Sequence, residues 1–227
     1  MPLILSIETA TPVCSVAIHR GSSLVAHAEF HVDKVHATAL TPTIEFVLQQ
    51  CGVQKQELSA IAVSKGPGSY TGLRIGVAVA KGLCFTLDIP LIGVETLEVM
   101  AFGMVPLATK DNSLICPMLD ARRMEVYCAL FDASGRRLAP TQAVVVDESL
   151  PDTMFAGKNV ICCGDGVDKC KPILQPFRNT YVADAVYPLA KTVGALAALR
   201  LEQRQFENLV NFEPYYLKEF FKPTKSA

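Results

Sequence analysis

The chain has 227 residues, half of them apolar, with 21 basic and 22 acidic residues. That suffices to bury a sizeable core in one large domain or two small ones. The near-zero net charge excludes a globally basic nucleic-acid binder, so any RNA contact must be local or belong to a partner.

Residues 1–18 read as strands around a glutamate, with no basic, apolar secretory leader, and no apolar run is long enough to span a membrane. The expectation is a cytoplasmic protein whose eight cysteines stay reduced. They form no CxxC pair, and Cys162 and Cys163 are adjacent, so small buried side chains suit them better than disulfides or a zinc knuckle.

Three strands open the chain, "LILSIETA", "VCSVAIHRG" and "SLVAHAEFHV", an antiparallel meander by their apolar alternation. A helix follows in "HATALTPTIEFVLQQ". Leu40, Ile44, Val47, Leu48 and Cys51 fall at helical spacing, and Gly52 is a natural stop. "LSAIAVS" is a short buried strand, and the turn "KGPGSYTGLR" (65–74) feeds a second helix over 72–85. "PLIGVE" is a further strand and "TLEVMAFGMV" a third helix, with Thr96 as its expected N-cap.

The pattern then restarts. "LILSIETATPVCSVAI" (3–18) lies over "LICPMLDARRMEVYCALF" (114–131) at a constant offset of 112, which sets Glu8 over Asp120 and Val16 over Cys128. Both read strand, acidic residue, polar turn, strand. The spacing is too long for a solenoid and fits two copies of one α/β unit with a mixed sheet, residues 1–104 and a smaller 105–227. "NVICCGDGVDK" continues the second copy as strand and glycine turn. "PLAKTVGALAALRLEQRQ" is a helix with its apolar stripe at Leu189, Val193, Leu196, Ala197 and Leu201, and a short aromatic-basic tail closes the chain.

The Gly-rich turn admits two readings. As a phosphate cradle it lacks the Lys-Ser/Thr pair of G-x-x-x-x-G-K-[ST], and Lys65 precedes the glycines. As a packing device it is better made: Gly72, Gly76 and Ala80 form one side-chain-poor stripe along the helix, where another backbone can approach. Spacing does not tell whether that neighbour is the chain's own core or another subunit.

His27 and His31 are four apart, but on a strand that separates them by roughly 13 Å, too far to share an ion. His36 has no histidine four residues on, so no metal site is expected. Glu8 and Asp120 close equivalent strands and, with Thr9, Gly164 and Gly166, are the candidates for a magnesium or nucleotide site, a role implied by the resemblance of the two halves to a superfamily of phosphotransferases. Carboxylates there can equally cap hairpin turns with help from Thr9 and Thr11. For phosphate contacts to RNA the candidates are Arg122, Arg123, Lys218, Lys222 and Lys225. Those clusters are short and broken by Glu125 and Glu219, as a solvated loop and a packed aromatic tail would be.

The duplicated halves, each with an acidic residue closing its first strand, resemble the actin/Hsp70/sugar-kinase (ASKHA) superfamily. Within it, "LSIETATPVCSVAI", "SKGPGSYTGLRIGVAVAKGL", "LDARRMEVYCALF", "GDG" and "EPYYL" resemble the TsaB (YeaZ) family over the whole chain. The resemblance implies a non-catalytic, cofactor-free subunit for the tRNA modification threonylcarbamoyladenosine. It implies pairing with a TsaD-like metal-bearing transferase and a TsaE-like ATPase, and tRNA contact only through the complex. It places the partner surface on the first two helices, at Ala37, Thr41, Ile44, Gly72, Arg74, Gly76 and Ala80, and the same surface is expected to make a homodimer when the chain is alone. The rival expectation is a small ATPase or phosphotransferase of the same superfamily.

Overall fold

The computed structural model describes residues 1–109 and 112–218. Strands β1 (Leu3–Glu8), β2 (Cys14–Arg20) and β3 (Ser23–Phe30) form the opening meander, and helix α1 (His36–Gln50) follows. Then come β4 (Ala60–Gly66), α2 (Tyr70–Leu87), β5 (Leu91–Glu95) and α3 (Thr96–Met104). The first sheet has the order β3-β2-β1-β4-β5, with β1 antiparallel to β2 and parallel to β4.

The second half repeats this plan with β6 (Leu114–Asp120), β7 (Glu125–Cys128), the two-residue β8 (Phe131–Asp132) and β9 (Gln142–Val145). A single π-helical turn, Pro151–Phe155, stands where α1 does in the first half. It is followed by β10 (Val160–Cys163), the short α4 (Lys171–Leu174), β11 (Thr180–Ala183) and α5 (Ala190–Glu202). The second sheet runs β11-β10-β6-β7-β9, with β8 beside β6. Setting β1 on β6, β2 on β7, β3 on β9, β4 on β10 and β5 on β11 superposes the two orders. The two related halves read from the 112-residue offset are therefore present in the strand topology, and the fold is of the expected α/β class with mixed sheets flanked by helices.

Alternation sets the layers. On β1, Leu3, Leu5 and Ile7 join the core beneath α1 and α2, with Leu40, Ile44, Val47, Leu48 and Val77. Ile4 faces the other way and packs with Ala62, Ile92 and Val94 against Val193, Leu196 and Ala197 of α5. In turn α3 sets Leu97, Met100 and Ala101 on Ile115 and Leu119 of the second sheet. The first sheet thus carries α5 and the second sheet α3, and the two helices touch each other. Among the described residues the packing crosses the expected division at 104/105: α5 returns to the first sheet, where Arg200 donates to the Gly93 carbonyl and pairs with Glu98 at 2.7 Å.

Two local expectations change, and one proline stands where a strand would not favour it. Helix α2 starts at Tyr70 rather than Gly72, because the Ser69 hydroxyl accepts from the Gly72 amide at 3.2 Å and caps it. Thr96 is the first residue of α3 and not its cap, and its buried hydroxyl has no partner among the described residues. Pro117 sits within the central strand β6, where its missing N–H would normally break a ladder; it falls in the gap where β8 stops pairing (Leu114, Ile115) and β7 begins (Met118). The eight thiols are all unbridged, seven of them buried and Cys51 half-buried.

Candidate functional site

The Gly-rich turn is filled by the chain itself. The Ser69 amide donates to the Ala10 carbonyl at 2.6 Å, and a Cβ at Gly68 would overlap that carbonyl. Gly68 has φ +158 and Gly66 φ +115, and at Gly66 a side chain would meet the Tyr215 carbonyl at 2.6 Å. These glycines admit the turn after β1 on one side and the end of the chain on the other. A phosphate needs inward-facing amides with open space before them; here the chain's own carbonyls occupy that space.

The small-residue stripe of α2 is turned to the same neighbour. Thr9 donates its hydroxyl hydrogen to the Gly72 carbonyl at 2.8 Å. A Cβ at Gly72 would overlap the Thr9 carbonyl, and one at Gly76 the Thr9 hydroxyl. Ala80 is buried in the core beneath the helix. Of the seven expected interface positions, Gly72, Gly76, Ala80 and Ile44 therefore face the chain's own interior, whereas Ala37, Thr41 and Arg74 are exposed. Helical spacing located the stripe but could not say which backbone it meets.

What α1 and α2 do expose is a second stripe, one step around the helix. Thr71, Ala78, Gly82 and Phe85 are exposed on α2, with half-buried Ile75 among them. Phe85 is 81% exposed and Phe46 on α1 is 57% exposed. Positions 71, 75, 78, 82 and 85 alternate in steps of four and three, the spacing of a helix–helix seam. Arg74 beside them is held over the Tyr70 ring, 4.9 Å from its centroid, and donates to the Tyr70 hydroxyl at 2.8 Å.

The two equivalent carboxylates both cap hairpin turns. Glu8 accepts from the Ala10 amide at 2.6 Å, and Asp120 from the Arg122 amide at 2.9 Å, each two residues on. Beyond that they differ. Glu8 is fully buried and hydrogen-bonded to the Ser64 hydroxyl, and burial raises its pKa to about 7 against those stabilising bonds. Asp120 is exposed, and the Lys169 ammonium pairs with it. Gly164 and Gly166 let the loop after β10 close on β6: side chains there would overlap Met118 and Leu119, and the Gly166 amide donates to the Met118 carbonyl at 3.0 Å. Asp165 between them accepts from the Asp120 amide at 3.0 Å. Thr11, expected to help cap the first turn, instead buries its hydroxyl without a partner among the described residues.

Between the halves lies a cleft of about 620 Å³, lined by Ser69 and Tyr70 on one side, Asp120 and Arg122 on the other, and Tyr216 and Lys218 across one wall. Glu8 is not part of that lining, so the two carboxylates do not converge on one ligand. The basic candidates are divided too: Lys218 pairs with Glu125, Arg122 and Arg123 are exposed at the tip of the β6–β7 turn with φ +72 and +50, and Lys222 and Lys225 lie outside the described residues.

The histidines serve local roles. His36 Nε2–H donates to the Thr11 carbonyl at 2.9 Å. His27 and His31 both approach the Glu29 carboxylate, at 3.6 and 3.2 Å, closer together than an extended strand implies because β3 ends at Phe30. Among the described residues no three His, Cys, Asp or Glu side chains gather as a metal site, and no helix is long and apolar enough to cross a membrane.

A repeated sheet plan with an acidic residue closing the first strand of each half defines the actin/Hsp70/sugar-kinase class of fold. The activator of 2-hydroxyisocaproyl-CoA dehydratase from Clostridium difficile shares the fold at a TM-score of 0.50 and 13% identity, over 91% of this chain and 98% of that one. Within the class, residues 30–224 match the family described as TsaD, tRNA N6-adenosine threonylcarbamoyltransferase. The Bacillus subtilis tRNA threonylcarbamoyladenosine biosynthesis protein TsaB is 32% identical over 180 residues, 78% of this chain and 77% of that protein. YeaZ from Pseudomonas aeruginosa superposes with a TM-score of 0.77 at 25% identity, over 96% of this chain and all of the other. The chain belongs to the TsaB (YeaZ) branch of this family.

Two expectations follow from the buried contacts. Glu8 carries its proton to about pH 7 in the fold but only to about 4.5 unfolded, so between those values the unfolded chain binds fewer protons and stability falls as pH rises. A Glu8→Gln chain should lack that component, and urea midpoints at pH 5 and pH 7.5 should differ less in the variant than in the wild type. Gly76→Leu should destabilise the monomer itself by about 1–3 kcal/mol through overpacking against Thr9, read as a lowered urea midpoint.

Proposed function

We propose that the chain is a non-catalytic cytoplasmic subunit in tRNA threonylcarbamoyladenosine formation, pairing with a TsaD-like transferase and engaging a TsaE-like ATPase, with tRNA reached through the complex. Family membership supports the pathway. The observation that carries the subunit role is the exposed seam of α1 and α2, where Ala78, Gly82, Phe85 and Phe46 present a small and aromatic surface without acids or bases of their own. Such a surface is suited to a second helix pair. Its exposed members Ala37, Thr41 and Arg74 remain in the proposed interface, and Ile75, Ala78, Gly82 and Phe85 take the place of the four inward-facing positions.

The state of the two carboxylates supports a chain without chemistry of its own. Glu8 is sealed beneath the first turn and Asp120 is neutralised by Lys169, a poor start for the magnesium handling that an ATPase or phosphotransferase requires.

The isolated chain uses the same seam to form a homodimer, and the transferase subunit, carrying similar helices, displaces one copy. Ala78→Arg should leave the unfolding free energy from urea titration within about 0.5 kcal/mol of wild type, as exposed substitutions usually do, while removing both self-association and co-elution with the transferase subunit on size-exclusion chromatography. Unchanged complex formation would remove this face from the interface. In a mixing experiment, light scattering should follow exchange of homodimer into heterodimer. A ternary species keeping the homodimer contact would show that the two surfaces differ.

A further inference from the structure

After α5 the chain runs back over both halves as a strap, residues 203–218. Its first part is anchored on the first half. The Glu207 amide donates to the Leu91 carbonyl at 2.9 Å and its carboxylate pairs with Lys65 at 3.0 Å. Lys81 of α2 donates to the carbonyls of Val210 and Phe212, at 3.2 and 2.9 Å, and the Phe212 ring is buried in the first core. Gly93 makes room for it, since a side chain there would meet Glu207 at 2.6 Å and the Phe212 ring at 2.9 Å. The Tyr215 amide then donates to the Lys65 carbonyl at 2.6 Å.

The last three described residues leave this anchor and cross the mouth of the cleft. Tyr216 packs its ring on Tyr70 of the first half, centroids 5.0 Å apart, and Lys218 pairs with Glu125 of the second half. Both Tyr216 and Lys218 are exposed, unlike Phe212. Away from the strap the halves meet through the apolar seam of α3 on β6, where Leu97, Met100 and Ala101 pack on Ile115 and Leu119, and through the Arg137–Glu95 ion pair at 2.7 Å. A seam of this kind can act as a hinge, and a solvated aromatic pair and ion pair are weak enough to open without unfolding either half.

We propose that residues 216–218 are a releasable latch: the α3–β6 seam is the hinge, and the Tyr216–Tyr70 and Lys218–Glu125 contacts hold the cleft at its resting width. Any ligand or partner segment that enters the cleft from this side displaces the latch first. The proposal concerns the isolated chain and stands apart from the choice of partner.

The test is hydrogen exchange on the full chain with Lys218→Glu, which sets like charge against Glu125, and separately with Tyr216→Ala. Exchange at residues 67–71 and 120–127, the two lips of the cleft, should accelerate about fivefold in each variant, the size of effect a surface contact carries, with the thermal midpoint and the exchange of β1 and α5 unchanged. Combining Lys218→Glu with Glu125→Lys should restore slow exchange. Unchanged rates at both lips, a uniform acceleration through the chain, or failure of the charge swap to restore them would overturn the latch.

Discussion

The structure depends on the close approach of the turn after β1 to the N-terminus of α2. Thr9 and Ala10 reach the helix because Gly68, Gly72 and Gly76 carry no side chains there, and two hydrogen bonds, Thr9 to the Gly72 carbonyl and the Ser69 amide to the Ala10 carbonyl, close the joint. Glu8 immediately before it is sealed from water by the same contact. One constraint thus fixes α2 on the first sheet, fills the Gly-rich turn, buries the acidic residue and turns the opposite face of the helix outward. The exposed seam with Phe85 and Phe46 is the other side of that packing.

The second half shows what happens to the same plan with different residues. Its Gly164–Gly166 loop closes on β6 as the Gly-rich turn closes on β1, but only the four-residue α4 follows it, and the acidic residue stays at the surface with a lysine partner. The equivalent carboxylates therefore share the turn-capping role, while only Asp120 reaches the cleft between the halves. One position thus holds a buried acid bonded to Ser64, and the other an exposed acid paired with Lys169.

Much of the fold was legible because it is local. Alternation on β1 and β2, the stripe of α1 ending at Gly52, and the restart at a fixed offset of 112 residues all depend on near neighbours. What stayed hidden depends on contacts between distant segments. The stripe at Gly72, Gly76 and Ala80 was visible, but its partner, Thr9, lies more than sixty residues away in sequence, so an interior contact read as an outward one. Ile44 belonged to the core stripe and was also placed on the interface, a choice that one helix pattern cannot make. The return of α5 to the first sheet and the path of the strap over Gly93 had no local signal, and neither did Pro117, which is tolerated only because two different strands share one edge of β6.

The central claim is that the Gly-rich turn clasps the chain's own backbone. Amide chemical shifts of residues 66–72 in the full chain, titrated with inorganic phosphate and then with magnesium ATP, test it most directly. The expected result is no saturable movement at Gly66, Gly68 or Gly72. Saturable shifts at those three amides, with the Thr9 and Ala10 amides moving in step, would show that the turn opens to hold a phosphate and would contradict the account.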